Sequence, residues 1–276
     1  MAAVPPRVLA AYGIGGTARD LAGGQGTSVL VDGLVLKPGA DVAETSWLAR
    51  LAAHTRPQGF RLPAPVPAID GRLVVEGWSA TPYAQGAPVD QHDRSATVWI
   101  PVLEAGRAFH RAVRHEPQPG FLHLRRHRWA VADRAAWGRP RPAVGPRFCG
   151  LVSRLGRHVV DEGLGDQLVH GDLSGNVLLS DGLSPAVIDM SPYWRPTAYA
   201  DAVIVVDALL WWRADPTLVD LGRPTSLDHR VWTSLLARAL TFRLLTLDES
   251  VPSASRTRDQ EFDRYDHVAE LLDATS

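Results

Sequence analysis

The chain has 276 residues, a formal net charge of -1, 45% hydrophobic and 21% charged residues. That length builds a sizeable core as one large domain or two modest lobes, and the near-neutral balance gives no global pull toward nucleic acid or an anionic membrane. A single cysteine, Cys149, excludes an internal disulfide framework. The opening MAAVPPRVLAAYG is a poor signal peptide, and no run reaches the roughly 18 apolar residues of a spanning helix. A cytoplasmic, enzyme-sized chain is the expectation. Its one lysine is Lys37, against many arginines. A compact ammonium and a forked guanidinium are not interchangeable where a charge must reach phosphate oxygens, so this position draws attention.

Residues 5–12 read as a short helix. The segments TSVLV and LVLK then read as strands, with Asp32-Gly33 between them as a two-residue hairpin turn. A glycine-rich turn, GGQG, precedes that hairpin. The run DVAETSWLARLAAH reads as a helix capped by Asp41, with Val42, Trp47, Leu48 and Leu51 as its apolar face. A strand follows at Leu73–Val75. The first 80 residues therefore read as a small sheet with one helix, and 81–95 as a polar crossing. The rest is mostly helical. Candidate helices lie in ATVWIPVLEAGRAFHRAVR, FCGLVSRLGRHVVDEG, AYADAVIVVDALLWW, SLDHRVWTSLLARALTFRLLTL and RYDHVAELLD. One exception interrupts them: the apolar runs Asn176–Leu179 and Pro185–Met190 flank a polar turn, which reads as a tight hairpin. An α+β chain of two lobes, 1–80 and 81–276, is expected, with a ligand cleft between them.

The segment LVHGDLSGNVLLSDGLSPAVIDM places a histidine, two aspartates and an asparagine around that hairpin. Together with Lys37 and the glycine-rich turn, it resembles the aminoglycoside phosphotransferase-like group within the protein-kinase-like fold. The chain is also similar to an uncharacterised actinobacterial branch that carries the SPYWRP tract. The match is carried by HGDLSGNVLL and AVIDM. The resemblance implies a small antiparallel-sheet N-lobe and a larger, mainly helical C-lobe. It implies a catalytic aspartate at Asp172 and magnesium ligands at Asn176 and Asp189. One departure stands out: the usual pattern leaves four residues between the catalytic aspartate and the asparagine, and here Leu173, Ser174 and Gly175 make three.

Phosphoryl transfer needs an oriented acceptor, metal ions across the phosphates and cations to balance charge. Asp172 is the candidate for orienting and deprotonating an acceptor hydroxyl; an Asx-turn aspartate at a strand end is the plainer alternative. Asp189 and Asn176 offer oxygen ligands of the kind that suit Mg2+. His170, grouped with Asp172 in the catalytic motif, reads better as a brace of the loop, reaching toward Asp189, than as a proton acceptor. Lys37 is the candidate for the α- and β-phosphates. Glu44 shares the inward face of its helix and is a natural partner for Lys37, but Asp41-x-x-Glu44 also resembles a capping box, and both readings stand. Gly23, Gly24, Gly26 and Thr27 are candidates to cradle phosphates with backbone N–H groups. By resemblance, Glu76, Gly77 and Trp78 form the hinge that reads the nucleotide base, with Trp78 lining the base pocket or buried in the core.

Tyr193, Trp194 and Arg195 follow Asp189 closely and can flank the acceptor or the metals. Asp207 in an apolar helix wants a partner, and Asp201 can stabilise the tract behind the site. The arginine-rich stretch 107–157 reads as a solvated helical face in preference to a nucleic-acid surface. The leading reading is a Mg2+-dependent kinase that moves the terminal phosphoryl of ATP or GTP to a hydroxyl of a small molecule. The alternative is a weakly active or inactive nucleotide-binding regulator on the same fold. Transfer of a nucleoside monophosphate is a third reading.

Overall fold

A computed structural model describes residues 4–21, 27–140, 146–161, 163–247 and 255–274. Its first element, α1 (Pro6–Tyr12), starts with proline at its first turn and ends on Gly13 in the left-handed region. Five short strands follow: β1 (Arg19–Asp20), β2 (Val29–Val31), β3 (Leu34–Pro38), β4 (Val74–Val75) and β5 (Trp78–Pro82). Among the described residues they form one antiparallel sheet in the order β1-β2-β3-β5-β4. Asp32 and Gly33 make the β2–β3 turn with φ of 46° and 80°, the geometry of a tight hairpin whose second residue is eased by lacking a Cβ. Val29, Val31, Leu36, Val75, Trp78 and Ala80 bury one face of the sheet against Val8 and Tyr12 of α1.

The helix after β3, α2 (Val42–His54), is capped as expected: Asp41 Oδ1 accepts from the Glu44 N–H at 2.9 Å. Its apolar face turns away from the sheet core. Leu51 belongs to the large cluster of the helical half, and Trp47 and Leu48 pack on that cluster. Val42, expected on the same face, is 63% exposed, because it occupies the first turn, where the helix overhangs the cleft rim.

The helical half is built from α3 (Ile100–Ala112), α4 (Arg128–Ala136), α5 (Pro146–Gly156), α6 (Thr197–Asp207), α7 (Leu218–Gly222), α8 (His229–Leu245) and α9 (Ser255–Ala274). The α6 helix is apolar nearly all round and correspondingly buried from Ala198 to Asp207. It runs into a π-helical turn at Ala208–Trp212, after which Arg213 takes φ 53°. Two small ribbons sit on this bundle. In one, β6 (Gln167–His170) pairs antiparallel with β9 (Pro192–Arg195). In the other, β7 (Val177–Ser180) pairs with β8 (Leu183–Val187), Val177 opposite Val187. The second ribbon is the hairpin read from the sequence.

The two halves are joined by more than chain continuity. The Arg61 N–H donates to the Pro185 carbonyl and the Val187 N–H to the Arg61 carbonyl, at 2.7 and 2.8 Å. On the other strand, Ala87 and Leu179 exchange two backbone hydrogen bonds. The β7–β8 hairpin is thus gripped on both edges by segments that lead out of the N-terminal sheet.

Candidate active site

Lys37 lies on β3, opposite Ser79 of β5. Asp189 follows β8 and takes φ 51°, a left-handed backbone that a non-glycine residue adopts only at a cost. Their side chains meet: Lys37 Nζ is 2.8 Å from Asp189 Oδ2. Around this pair opens a cavity of about 540 Å³. Lys37, Glu44 and Ser79 line it from the sheet side, and Asn176, Ile188 and Asp189 from the other.

The catalytic-loop candidates are held by a chain of hydrogen bonds. His170 is fully buried, and the Asp172 N–H donates to its Nδ1 at 3.1 Å. With Nδ1 accepting, Nε2 carries the proton and donates to the Ile188 carbonyl at 2.9 Å. Burial, foremost, holds the ring below its ordinary pKa. A neutral imidazole wedged between the loop and the residue before Asp189 is a brace. It touches neither solvent nor the cavity, the placement expected of the loop brace and not of a proton acceptor. Gly171 beside it is required by space: a Cβ there would run into the Tyr193 ring.

Asn176 is fixed at both ends. Its carbonyl accepts from the Ile188 N–H at 2.9 Å, and its Nδ2 donates to the Asp172 carbonyl at 2.7 Å. That orientation leaves the amide oxygen as the group available to a cation. Three intervening residues are enough for this geometry, since the Asn176 N–H also closes a turn onto the Leu173 carbonyl. Among the described residues no three His, Cys, Asp or Glu side chains converge. An aspartate plus an asparagine amide is a sparse donor set. It suits Mg2+, which keeps several waters and takes many of its ligands from phosphates.

Asp172 stands at the outer edge of this group, its side chain 48% exposed, and is not part of the cavity wall. Arg243 of α8 donates to its Oδ1 at 2.7 Å. The same guanidinium pairs with Asp207, the partner that the lone aspartate of an apolar helix required.

Several expected roles are redistributed. Glu44 does not pair with Lys37. Its carboxylate takes a two-pronged contact from Arg125, at 2.9 and 2.7 Å, and Arg125 also donates to the Pro192 carbonyl. A planar fork satisfies two carboxylate oxygens where an ammonium satisfies one. Glu76 and Gly77 are not a hinge. They form the exposed two-residue turn between β4 and β5, with φ of 49° and 76°, so the chain folds back into the sheet there. Trp78 is 6% exposed in the sheet core and does not line the cavity. The chain leaves the sheet one strand later, and Thr81, Pro82, Tyr83 and Ala84 form the cavity wall instead. Of the glycine-rich turn, Gly23, Gly24 and Gly26 lie outside the described residues; Thr27 is described, and it is its neighbour Ser28 that lines the cavity.

No family model matches the sequence, and no curated protein matches it. Solved structures do. An aminoglycoside phosphotransferase from Alicyclobacillus acidocaldarius superposes with a TM-score of 0.66 at 17% identity, covering 100% of this chain and 95% of that one. A microcompartment-associated aminopropanol kinase gives 0.64 at 21% identity, covering 97% and 95%. Spectinomycin phosphotransferase APH(9)-Ia, solved with ADP and spectinomycin, gives 0.58 at 16% identity, covering 98% and 96%. The chain has the aminoglycoside phosphotransferase-like kinase fold.

Of the residues after Asp189, Met190 and Pro192 line the cavity, while Tyr193 and Arg195 make packing and ion-pair contacts. Tyr193 packs on Phe242, and its hydroxyl is pushed up by burial. Arg195 pairs with buried Asp133 at 2.5 Å and lies over Trp137. Asp201 takes Arg107 at 2.8 Å. Sequence reasoning missed Arg125 and Arg243. The one available signal was indirect: a glutamate on an inward helix face and an aspartate in an apolar helix each call for a cation, but nothing local says which of the arginines answers.

Proposed function

We propose that this chain is a small-molecule kinase: it transfers the terminal phosphoryl group of ATP or GTP to a hydroxyl of a small acceptor, with Mg2+. One observation carries the reading. Lys37, Asn176 and Asp189 line a single cavity, and Asp172 is tied to its rim through Asn176. Lys37 supplies the ammonium for the phosphates of the donor. Asn176 and Asp189 would hold the magnesium ion, which when bound neutralises charge developing on the phosphate oxygens. Asp172 orients the acceptor hydroxyl and takes its proton. Thr81–Ala84 contact the base, and residues 1–80 with the end of β5 act as the donor-binding lobe. Three solved proteins of the same fold are named for phosphoryl transfer to, or complexes with, small hydroxyl compounds, which supports an acceptor of that class. No described helix is long and apolar enough to cross a membrane, and we assign the chain to the cytoplasm on a sequence that holds a single cysteine.

The test is phosphoryl transfer itself. Purified protein is incubated with Mg2+, ATP or GTP, and a panel of amino alcohols, sugars, nucleosides and aminocyclitols, and product is read by mass spectrometry. A phosphorylated acceptor is expected, and Asp172→Ala is expected to abolish it while nucleotide binding persists. Full turnover by Asp172→Ala sinks the assignment. Nucleotide binding with no product from any acceptor favours the regulator reading.

A further inference from the structure

Arg243 is 4% exposed, near the C-terminal end of α8. Its guanidinium joins two carboxylates of different character. Nε donates to Asp207 Oδ1 at 2.7 Å, and Nη2 to Asp207 Oδ2 at 2.6 Å. Nη2 also donates to Asp172 Oδ1 at 2.7 Å. Asp207 is buried, and its Oδ2 takes a further hydrogen bond from Ser174 Oγ at 2.8 Å. The Phe242 ring lies 4.8 Å and the Trp211 ring 5.3 Å from the guanidinium carbon.

Putting a cation this deep costs several kcal/mol and is tolerated only with good geometry and saturated hydrogen bonding. The bidentate contact with Asp207 meets that need alone. The additional bond to half-exposed Asp172 fixes something else. It takes one oxygen of that carboxylate and, among the described residues, leaves Oδ2 with the loose 3.4 Å approach of Asn176 Nδ2. Rotation of the Asp172 side chain is thereby restricted, while one oxygen stays open to a hydroxyl. Ser174, two residues on, is anchored to Asp207, so the loop is pinned at two points to one buried ion pair.

We propose that Arg243, held by Asp207, is a positioning residue that aims the free oxygen of Asp172 at the acceptor. This rests on the reading of Asp172 as the acceptor-orienting carboxylate. Misplacing a reacting group by about 1 Å costs on the order of a hundredfold in rate, and a side chain released to other rotamers moves by more than that. Arg243 acts through Asp172 and touches no substrate.

The experiment uses the full chain with Mg-ATP and water as acceptor, following ADP release. The key variant is Arg243→Met/Asp207→Leu, which removes the buried charges together, because losing one alone strands the other. Arg243→Lys keeps a charge without the fork, and Asp172→Ala is the reference. The double variant is expected to lose roughly ten- to a hundredfold in kcat, with KM for Mg-ATP within about twofold of the parent, since the donor cavity is untouched. Arg243→Lys is expected to fall between the two. Wild-type kcat in the double variant, alongside loss in Asp172→Ala, overturns the positioning role and leaves the kinase reading intact. Undiminished ADP release by Asp172→Ala overturns the reading of Asp172 instead. A crystal structure of the double variant decides the point without turnover: Asp172 is expected to leave its position or spread over several rotamers, and a single unchanged rotamer refutes the proposal.

Discussion

Lys37 Nζ and Asp189 Oδ2 stand 2.8 Å apart, an ion pair between a strand of the N-terminal sheet and the residue that follows β8. Both side chains are well exposed, 45% and 35%, so the attraction is screened and contributes less than about 1 kcal/mol to stability. Breaking the pair therefore costs the fold little, as the proposed donor-binding role of both groups requires.

Lys37→Met and Asp189→Asn are therefore expected to leave the unfolding midpoint nearly unchanged while weakening Mg-nucleotide binding at least about tenfold, the loss of one charge-assisted contact. Calorimetric titration of Mg-ATP beside urea unfolding checks this. A variant that unfolds easily yet binds normally would show that the pair is structural.

The Glu44–Arg125 contact predicts a different partnership from the one between Glu44 and Lys37. A double-mutant cycle on Glu44→Gln and Arg125→Met should give a coupling of about 1 kcal/mol in urea unfolding. The matching cycle on Glu44→Gln and Lys37→Met should be additive. Coupling in the second cycle and none in the first would reverse the assignment.

Trp78 supplies a third check. Trp78→Ala should cost about 3–5 kcal/mol of stability, the usual loss for a large aromatic taken from a core. Nucleotide affinity of the protein that remains folded should be unaffected, because the side chain packs with Val29, Leu36 and Val75 on the far side from the cavity. A large loss of affinity without loss of stability would return Trp78 to the base pocket.

The fourth prediction concerns acid. Burial, with His170 beside it, lowers His110 to about 3, and burial lowers His170 as well. The unfolded chain titrates these rings near 6.5, so below that pH it binds more protons than the folded chain, and folding loses stability as pH falls. A histidine that stays neutral in the folded chain contributes a slope of at most about 1.4 kcal/mol per pH unit. Asp201 and Asp207 act in the opposite sense. Burial pushes both up to about 6 against the pull of Arg107 and Arg243, so below pH 6 they take protons in the folded state that the unfolded chain refuses. The loss should be steepest just beneath pH 6.5 and flatten below 6. Urea midpoints from pH 7.5 to 5 test the shape, and His110→Gln should reduce the initial slope. A midpoint that does not move in this range contradicts it.

What the sequence made legible was local. The Asp32-Gly33 turn, the Asp41 cap and the β7–β8 hairpin depend on residues next to one another, and each forms where the pattern put it. The brace by His170 was legible too, though it ends on the Ile188 carbonyl, one residue short of Asp189. The hinge was misread for a physical reason. A strand ending in Glu76-Gly77 can turn back or run out, and the choice rests on whether β5 finds β3 and β4, which is a tertiary matter. The arginine partners were hidden likewise. Glu44 and Arg125 are 81 residues apart, and Asp172 and Arg243 are 71 apart. No periodicity spans such distances. The short strand β9, with Tyr193 and Arg195 on it, escaped because four residues led by a proline give no alternating pattern to read, and the strand is defined by its pairing with β6.

The double grip on the β7–β8 hairpin governs how the cleft can open. Arg61 holds one edge and Ala87 the other, so the ribbon is tied to the chain on both sides. Asn176 and Asp189 sit together at the open end of that ribbon, while Lys37 stands across the cavity on β3. Moving the sheet away from the hairpin would part the ammonium from both oxygen donors and leave the donors side by side.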